Sequence, residues 1–305
     1  MNIKNKLKYN ELESKLYIPN EIFNDLSVIE NGSHRAFAYS YYYLINYLYR
    51  NAKYSQFILN INEIKEILCY NKNDKRLNYI VKKGGVLDQL NYTETTADYP
   101  IEWELDTELM EPVFHLVSEL DENTQKLYKS RHTNRHVIKY PLRSFYREIE
   151  DKGINYLSGT YYDIQSTHLI EFEVFDFCMR NSELGCVGFY IYSYLKMMND
   201  KFPTGYDGGR YRLGDETGVK PTTFERYRKT MRGYNMLTVI HNQSYFSTKF
   251  DRVGRKASTN KVNHFSQFSN ELIEYDKLKC NEKEDNIQSD NNLKHEDDKL
   301  LNLFT

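Results

Sequence analysis

The apolar positions of this chain repeat. Residues 42–48, YYLINYL, place Tyr43, Leu44, Tyr47 and Leu48 at helical spacing. Residues 189–195, FYIYSYL, do the same with Tyr190, Ile191, Tyr194 and Leu195, at a gap-free offset of 147. That offset also pairs Leu77 with Phe224, Ile80 with Tyr227, Leu87 with Tyr234 and Leu90 with Leu237. Between these blocks an offset of 152 pairs Ile61 with Leu213 and Ile67 with Val219. Upstream, the same 152 pairs Ile18–Phe23 with Ile170–Phe175. The pattern reads as one unit of roughly 80 residues, present twice.

In the second copy the pattern predicts a long helix near 185–199, ending before Pro203. Tyr206–Arg210, with two glycines, is a turn; Tyr211–Leu213 reads as a short strand and Gly214–Thr217 as a short helix. Gly218-Val-Lys-Pro221 makes the next turn and sets Pro221 at the start of a helix that runs to about Gly233. Residues 236–248 form two β-prone runs around His241–Ser244, the pattern of a hairpin. The first copy gives the same order: helices over 35–50, 61–69 and 73–83, then a β-prone stretch through Trp103.

Helix, helix–turn–helix, hairpin is the order of a winged helix–turn–helix. The expected fold is α+β and mainly helical, with two tandem winged helix–turn–helix domains. The expected divisions are an N-terminal arm (1–16), domain 1 (17–103), an acidic then basic helical connector (104–152), domain 2 (153–266) and an acidic tail (267–305). The tail is polar and Asn-rich, which reads as disorder, and closes on an apolar LLNLF at Leu300–Phe304.

Charge sharpens this picture. The 305 residues carry a formal net charge of only −2, which by itself argues against a nucleic-acid partner. The charge is nevertheless segregated: −9 over 98–122, +7 over 123–147, +8 over 201–265 and −5 over 270–300. No stretch approaches the ~18–20 apolar residues of a membrane helix, and the opening MNIKNKLKYNELESK lacks the apolar core of a leader. Cys69, Cys178, Cys186 and Cys280 are scattered with no CxxC, as expected of reduced thiols in a cytoplasmic protein. The 28 Tyr and 16 Phe sit beside abundant Asn, Lys and Ile, a bias of AT-rich coding rather than a sign of an aromatic site.

Each predicted second helix of the helix–turn–helix has a polar face opposite its apolar stripe. In the second copy Phe224, Tyr227 and Met231 mark the inner side, and Thr222, Arg226 and Lys229 fall opposite them. In the first copy Leu77, Ile80 and Val81 point in, and Lys75, Tyr79 and Lys82 point out. Such a face fits a major groove, with the cations on phosphates or guanine edges. Lys249, Arg252, Arg255 and Lys256, followed by Lys261, make a basic Gly- and Ser-containing segment beside the second hairpin, suited to tracking phosphates. A third basic segment holds Lys129, Arg131, Arg135, Lys139, Arg143 and Arg147, spread around several helical faces. It fits phosphate contacts between half-sites and neutralisation of the acidic segment equally.

Catalytic patterns are missing. His132 and His136 lack the glutamate of HExxH, no His-x-His occurs, and there is no GxxxxGK[ST] phosphate loop. Gly84-Gly85 reads as a helix end. Glu171, Glu173 and Asp176 alternate with Phe172, Val174, Phe175 and Phe177, the pattern of an amphipathic segment and not of an acid–base pair. The expectation is a non-enzymatic protein with no cofactor and no metal.

Tyr17-Ile-Pro-Asn-Glu-Ile-Phe23, the aromatic long helix after it and the Ile61–Leu68 start of the helix–turn–helix together resemble the winged-helix replication initiators of plasmids and phages from low-GC Gram-positive bacteria. The resemblance covers 17–103 and 165–265; the second copy is also similar to domains of primosome-loading proteins and of transcription factors. It implies DNA contacts on the second helix of each unit and on the wing, at Lys75, Tyr79, Lys82, Thr222, Arg226 and Lys229. It further implies replication initiation at repeated or inverted double-stranded sites, with host replication proteins and a second copy of the chain as partners and no membrane. A transcriptional regulator of the same fold is the first alternative. A protein-interaction or oligomerisation scaffold is the second, favoured by the −9 segment.

Overall fold

The computed structural model describes residues 3–57, 59–106, 111–131, 138–147, 157–158, 166–243, 245–246, 256–277 and 279–280. It is α+β, with helix the larger share. The first half holds α1 (Ile3–Lys6), β1 (Lys15–Pro19), α2 (Ile22–Asp25), α3 (Gly32–Arg50), α4 (Ile61–Ile67), α5 (Asn78–Val81) and α6 (Val86–Gln89). Next come β2 (Glu94–Thr96), β3 (Pro100–Asp106), β4 (Glu111–Leu116), α7 (Glu122–Arg131), β5 (Ile138–Tyr140), α8 (Leu142–Phe145), β6 (Tyr146–Arg147) and β7 (Leu157–Ser158). The second half has β8 (Thr167–Glu171), α9 (Phe172–Arg180), α10 (Gly185–Lys201), β9 (Tyr206–Asp207), α11 (Arg210–Thr217) and α12 (Pro221–Gly233). It closes with β10 (Leu237–Ile240), β11 (Tyr245–Phe246), β12 (Thr259–Val262) and β13 (Lys279–Cys280).

The core lies where α3 and α10 pack together. Every residue of α3 from Ala36 to Tyr49 is buried, as expected of a helix that is apolar all round. The tyrosines are what fills this core. Tyr47 stacks on Phe172 at 4.2 Å, Tyr43 meets Phe189 edge-on at 4.9 Å and Tyr39 stacks on Phe23 at 5.2 Å. A buried hydroxyl without a partner costs about 1–3 kcal/mol, and these have partners. Tyr39 Oη lies 2.8 Å from His168 Nε2, Tyr43 donates to the Ile170 carbonyl at 3.2 Å and Tyr47 to Glu13 at 2.7 Å. Burial drives all three hydroxyls well above the ordinary tyrosine pKa, so they stay neutral donors.

The two lead-in segments that the sequence pairs at an offset of 152 are hydrogen-bonded to each other. β1 and β8 run antiparallel, with Tyr17 opposite Leu169, Leu16 opposite Ile170 and Ile18 opposite His168. Tyr17 and Leu169 are themselves 152 apart, so a local two-fold axis passes between them. Contacts at the helix starts obey the same exchange. A Cβ on Gly32, at the start of α3, would strike the Gly218 carbonyl that ends α11. A Cβ on Gly185, at the start of α10, would stand 3.9 Å from the Cβ of Cys69, just past α4. Cys69 Sγ donates to the Met179 carbonyl at 2.9 Å, and Cys186 Sγ to the Leu68 carbonyl at 3.2 Å.

Several expected details differ. Tyr211–Leu213 is the first turn of α11, and the strand before it is the two-residue β9. β10 pairs with β12, not with the run at 245–246, which instead pairs in parallel with β13. The strand that the sequence ends at Trp103 continues to Asp106 and pairs with β4. The 104–152 segment, expected to be a helical connector, therefore carries β4 and β5 as well as α7 and α8. Its alternation of Ile101, Trp103 and Leu105 with Glu102, Glu104 and Asp106 has the two-residue period of a strand. The 1–16 arm is built into the fold: Ile3 and Leu7 are buried and Tyr9 stacks on Phe172. Residues 281–305 of the tail lie outside the described residues, but 268–277 pack onto the second half.

Candidate nucleic-acid interface

α12 starts at Pro221, whose ring fits the first helical position because no amide donor is needed there. It is set by the turn before it. α11 ends at Gly218, with φ of +68°, a conformation that penalises any Cβ; a side chain there would also meet the Arg35 guanidinium. Phe224 and Met231 are buried and Tyr227 half-buried, while Thr222, Arg226 and Lys229 are exposed. The polar face expected from the sequence is therefore on the surface. Arg228 is tied to Glu225 at 2.7 Å, and Arg232 is held by Tyr275 and the Asp276 carbonyl. Arg226 and Lys229 form no ion pair among the described residues, which leaves their charge available to a ligand.

Beside α12 stands the sheet in the order β10-β12-β9. Leu237 and Val239 of β10 are buried, Thr238 and Ile240 exposed, so one face packs on the helices and one meets solvent. Lys261 is exposed opposite Thr238, and Lys256 is exposed just before β12. Residues 241–258 join the two paired strands, so Lys249, Arg252 and Arg255 fall by chain order in that connection; they lie outside the described residues. The sequence reading put this basic segment after the hairpin, whereas the β10–β12 pairing puts it within one.

The first half keeps the exposed face but differs in its helix and in its strands. Lys75, Tyr79 and Lys82 are exposed and Leu77, Ile80 and Val81 buried, as the wheel predicts. The helix expected over 73–83 is, however, a 3-10 turn over Lys75–Leu77 followed by the single turn of α5. Lys82 leaves the helix with ψ of 162° and Gly84 adopts φ of +68°, before α6 resumes. Asp74 caps the 3-10 turn and pairs with Arg76 at 2.8 Å. The Arg76 hydrogen bonds hold its carboxyl down at about 2. Tyr79 Oη lies 3.0 Å from His34 Nδ1; burial, then the charge of Arg76, lowers the His34 pKa.

The strand pair beyond it, β2 with β5, encloses an acidic hairpin where the second half has a basic connection. Glu102 and Glu104 on β3 are exposed, and His115 reaches Glu104 at 3.7 Å and Glu119 at 3.8 Å. Two cations of the third basic segment are tied to carboxylates of the first half. Lys139 is fully buried against Asp88 at 2.6 Å. Arg143 pairs with Asp25 at 2.9 Å and lies 4.7 Å over the Tyr92 ring. Lys129 is exposed, and the side chains of Arg131, Arg135 and Arg147 lie outside the described residues, as do His132 and His136.

No cluster of three metal-ligating side chains occurs among the described residues. Glu173 accepts hydrogen bonds from Tyr9 and Ser14, and Asp176 pairs with Arg180 at 2.9 Å, so each carboxylate has its own partner. The sequence reading missed the capture of Arg232 by Tyr275 and Asp276. The apolar Phe268, Leu272 and Ile273 inside an otherwise polar tail were the available signal for it. Comparison with known proteins finds no matching family, curated protein or solved structure.

Proposed function

We propose that the chain is a sequence-specific double-stranded DNA-binding protein, with α10, β9, α11, α12, β10 and β12 acting as a winged helix–turn–helix. In this reading α12 enters a major groove through Thr222, Arg226 and Lys229, and the β10–β12 connection is the wing on the phosphates. The observation that carries it is that Arg226 and Lys229 are exposed and without an ion pair among the described residues, beside paired strands whose connection holds four Lys/Arg and one Asp. Helix dipole and cations act together there, since the N-terminal turn of α12 carries no acidic residue.

The biological role we propose is initiation of replication of a plasmid or other mobile element. The protein binds repeated origin sites and recruits host replication proteins. The broken helix and acidic hairpin of the first half favour a protein-contact role for that half, because carboxylates beside phosphates are repulsive. A transcriptional regulator would use the same α12 surface.

Salt titration of duplex binding tests the assignment. Each lost phosphate contact flattens log K against log[salt] by about 0.9. Arg226→Ala and Lys229→Ala are each expected to weaken binding and flatten the slope by that amount, with Lys75→Ala doing less. Unchanged affinity and slope in both α12 variants would falsify this surface. Footprinting on the DNA that carries the gene is expected to protect a repeated sequence, and loss of plasmid maintenance with Arg226→Ala separates the initiator from the regulator.

A further inference from the structure

Helix α12 carries four cations, Arg226, Arg228, Lys229 and Arg232, and the fold divides them into two pairs. Arg228 is mostly buried and tied to Glu225 at 2.7 Å, while Arg232 is held by the Tyr275 ring and the Asp276 carbonyl. Those two hold the helix in place. Arg226 and Lys229 are exposed and form no ion pair among the described residues.

The two outward cations are not equivalent. The Arg226 guanidinium lies over the Tyr227 ring, 4.9 Å from its centroid. Tyr227 is half-buried and packs against the core, so its ring is a fixed platform. Such a contact engages the flat face of the guanidinium and leaves the N–H donors, which lie in its plane, for a ligand. Lys229 has no platform; it is a compact charge on a flexible stem, which suits a phosphate but fixes no base. Position along the helix separates them as well. Thr222, Arg226 and Lys229 make a stripe about 10 Å long at 1.5 Å per residue. That length covers about three base pairs at 3.4 Å each, and Arg226 stands in its middle.

A planar fork of donors needs two neighbouring acceptors. In the major groove guanine offers both N7 and O6. Adenine sets a donor beside N7, thymine a methyl group beside O4, and cytosine presents a donor. We propose that Arg226, positioned by Tyr227, reads a guanine through N7 and O6 at the centre of the stretch that α12 contacts. Lys229 adds affinity there without choosing sequence. The inference rests on the DNA-binding reading above and deepens it, since it names the base that the site requires.

The test starts by selecting bound duplexes from a random-sequence pool with the wild-type chain. Fluorescence anisotropy then measures the selected duplex, and versions of it with each guanine replaced by adenine or by 7-deazaguanine, which lacks N7. At one position the wild type is expected to lose about 10-fold with adenine, within the range of a bidentate pair, and to lose affinity with 7-deazaguanine too. Arg226→Gln and Lys229→Ala each remove one positive charge from an exposed position. Only Arg226→Gln is expected to abolish the guanine preference, turning it towards adenine. Lys229→Ala is expected to weaken all the duplexes by one common factor. Tyr227→Phe, which keeps the ring, is expected to retain the preference, and Tyr227→Leu to lower it about threefold.

A wild type with no guanine sensitive to loss of N7 overturns the proposal. So does a preference that survives Arg226→Gln, or one that Lys229→Ala abolishes equally. Equal preference in the Phe and Leu variants overturns the part given to Tyr227. Failure of the wild type to bind the pool at low salt removes the DNA-binding reading itself, and this inference with it.

Discussion

Asp88 and Lys139 are 51 residues apart, and their pair pins β5 to the start of α6. Lys139 Nζ contacts both carboxylate oxygens at 2.6 and 2.7 Å, while Asp88 also accepts from the Gly84 amide at 2.9 Å and Thr93 at 2.6 Å. Burial lowers the Lys139 pKa, and the Asp88 hydrogen bond and charge offset this only in part. Losing the acid therefore strands a buried cation. Asp88→Ala is expected to destabilise the fold by about 3 kcal/mol, read by urea unfolding, whereas Asp88→Asn with Lys139→Met recovers most of that. A loss below about 1 kcal/mol in the single variant would show that Lys139 reaches water. At this scale the exposed positions were legible in the sequence. Thr222, Arg226 and Lys229 lie opposite buried Phe224 and Met231, and a wheel fixes that relation locally. The fate of Lys139 and Arg143 was not legible, because their partners Asp88 and Asp25 lie far away in the chain.

Among the elements, the long helices show where periodicity stops informing. The sequence aligns YYLINYL with FYIYSYL at 147, but the helix starts Gly32 and Gly185 are 153 apart. Ser40 and Ser193 are 153 apart too, and each is buried and donates to a carbonyl one turn back, at 2.8 and 2.9 Å. A helix buried on every face has no polar side to mark its register, so a slipped alignment fits as well as the true one. Likewise Cys69 and Gly218, the left-handed residues that end α4 and α11, are 149 apart and not 152. Gly32 gives the test at this scale. Replacing a helical glycine with alanine ordinarily favours the helix by up to about 1 kcal/mol. Here the new Cβ meets the Gly218 backbone carbonyl, which cannot swing aside. Gly32→Ala is expected to destabilise by about 2 kcal/mol in urea unfolding, and a gain in stability would show that this contact is not made.

For the whole molecule the decisive feature is the exchange between halves. β1 pairs with β8, and the start of each long helix packs on the helix–turn of the other half. The arrangement makes a cross-link prediction. A Cβ at position 185 would stand 3.9 Å from Cys69 Cβ, within the roughly 3.5–4.5 Å range of a disulfide. Gly185→Cys is expected to join Cys69 on mild oxidation and appear as a linked peptide by mass spectrometry. The positive φ of +49° at Gly185 adds strain of about 1–2 kcal/mol, which lowers the yield without preventing it. A Gly185→Cys chain that keeps two free thiols there would mean the halves do not pack in this way.

The sequence by itself determined the α+β balance, the outward cations of α12 and the segregation of charge. These stem from side-chain period and chain order, which act within a few residues. Only the tertiary structure decided which strands pair. β10 found β12 across 18 intervening residues, so the basic segment became the connection of a strand pair. β2 found β5 across 41, enclosing an acidic hairpin instead. Strand pairing depends on which surfaces the core brings together, and no local pattern carries that information. The same reason hides the packing of residues 268–277: Phe268 reads as part of a polar tail until Phe177 and Tyr192 are beside it.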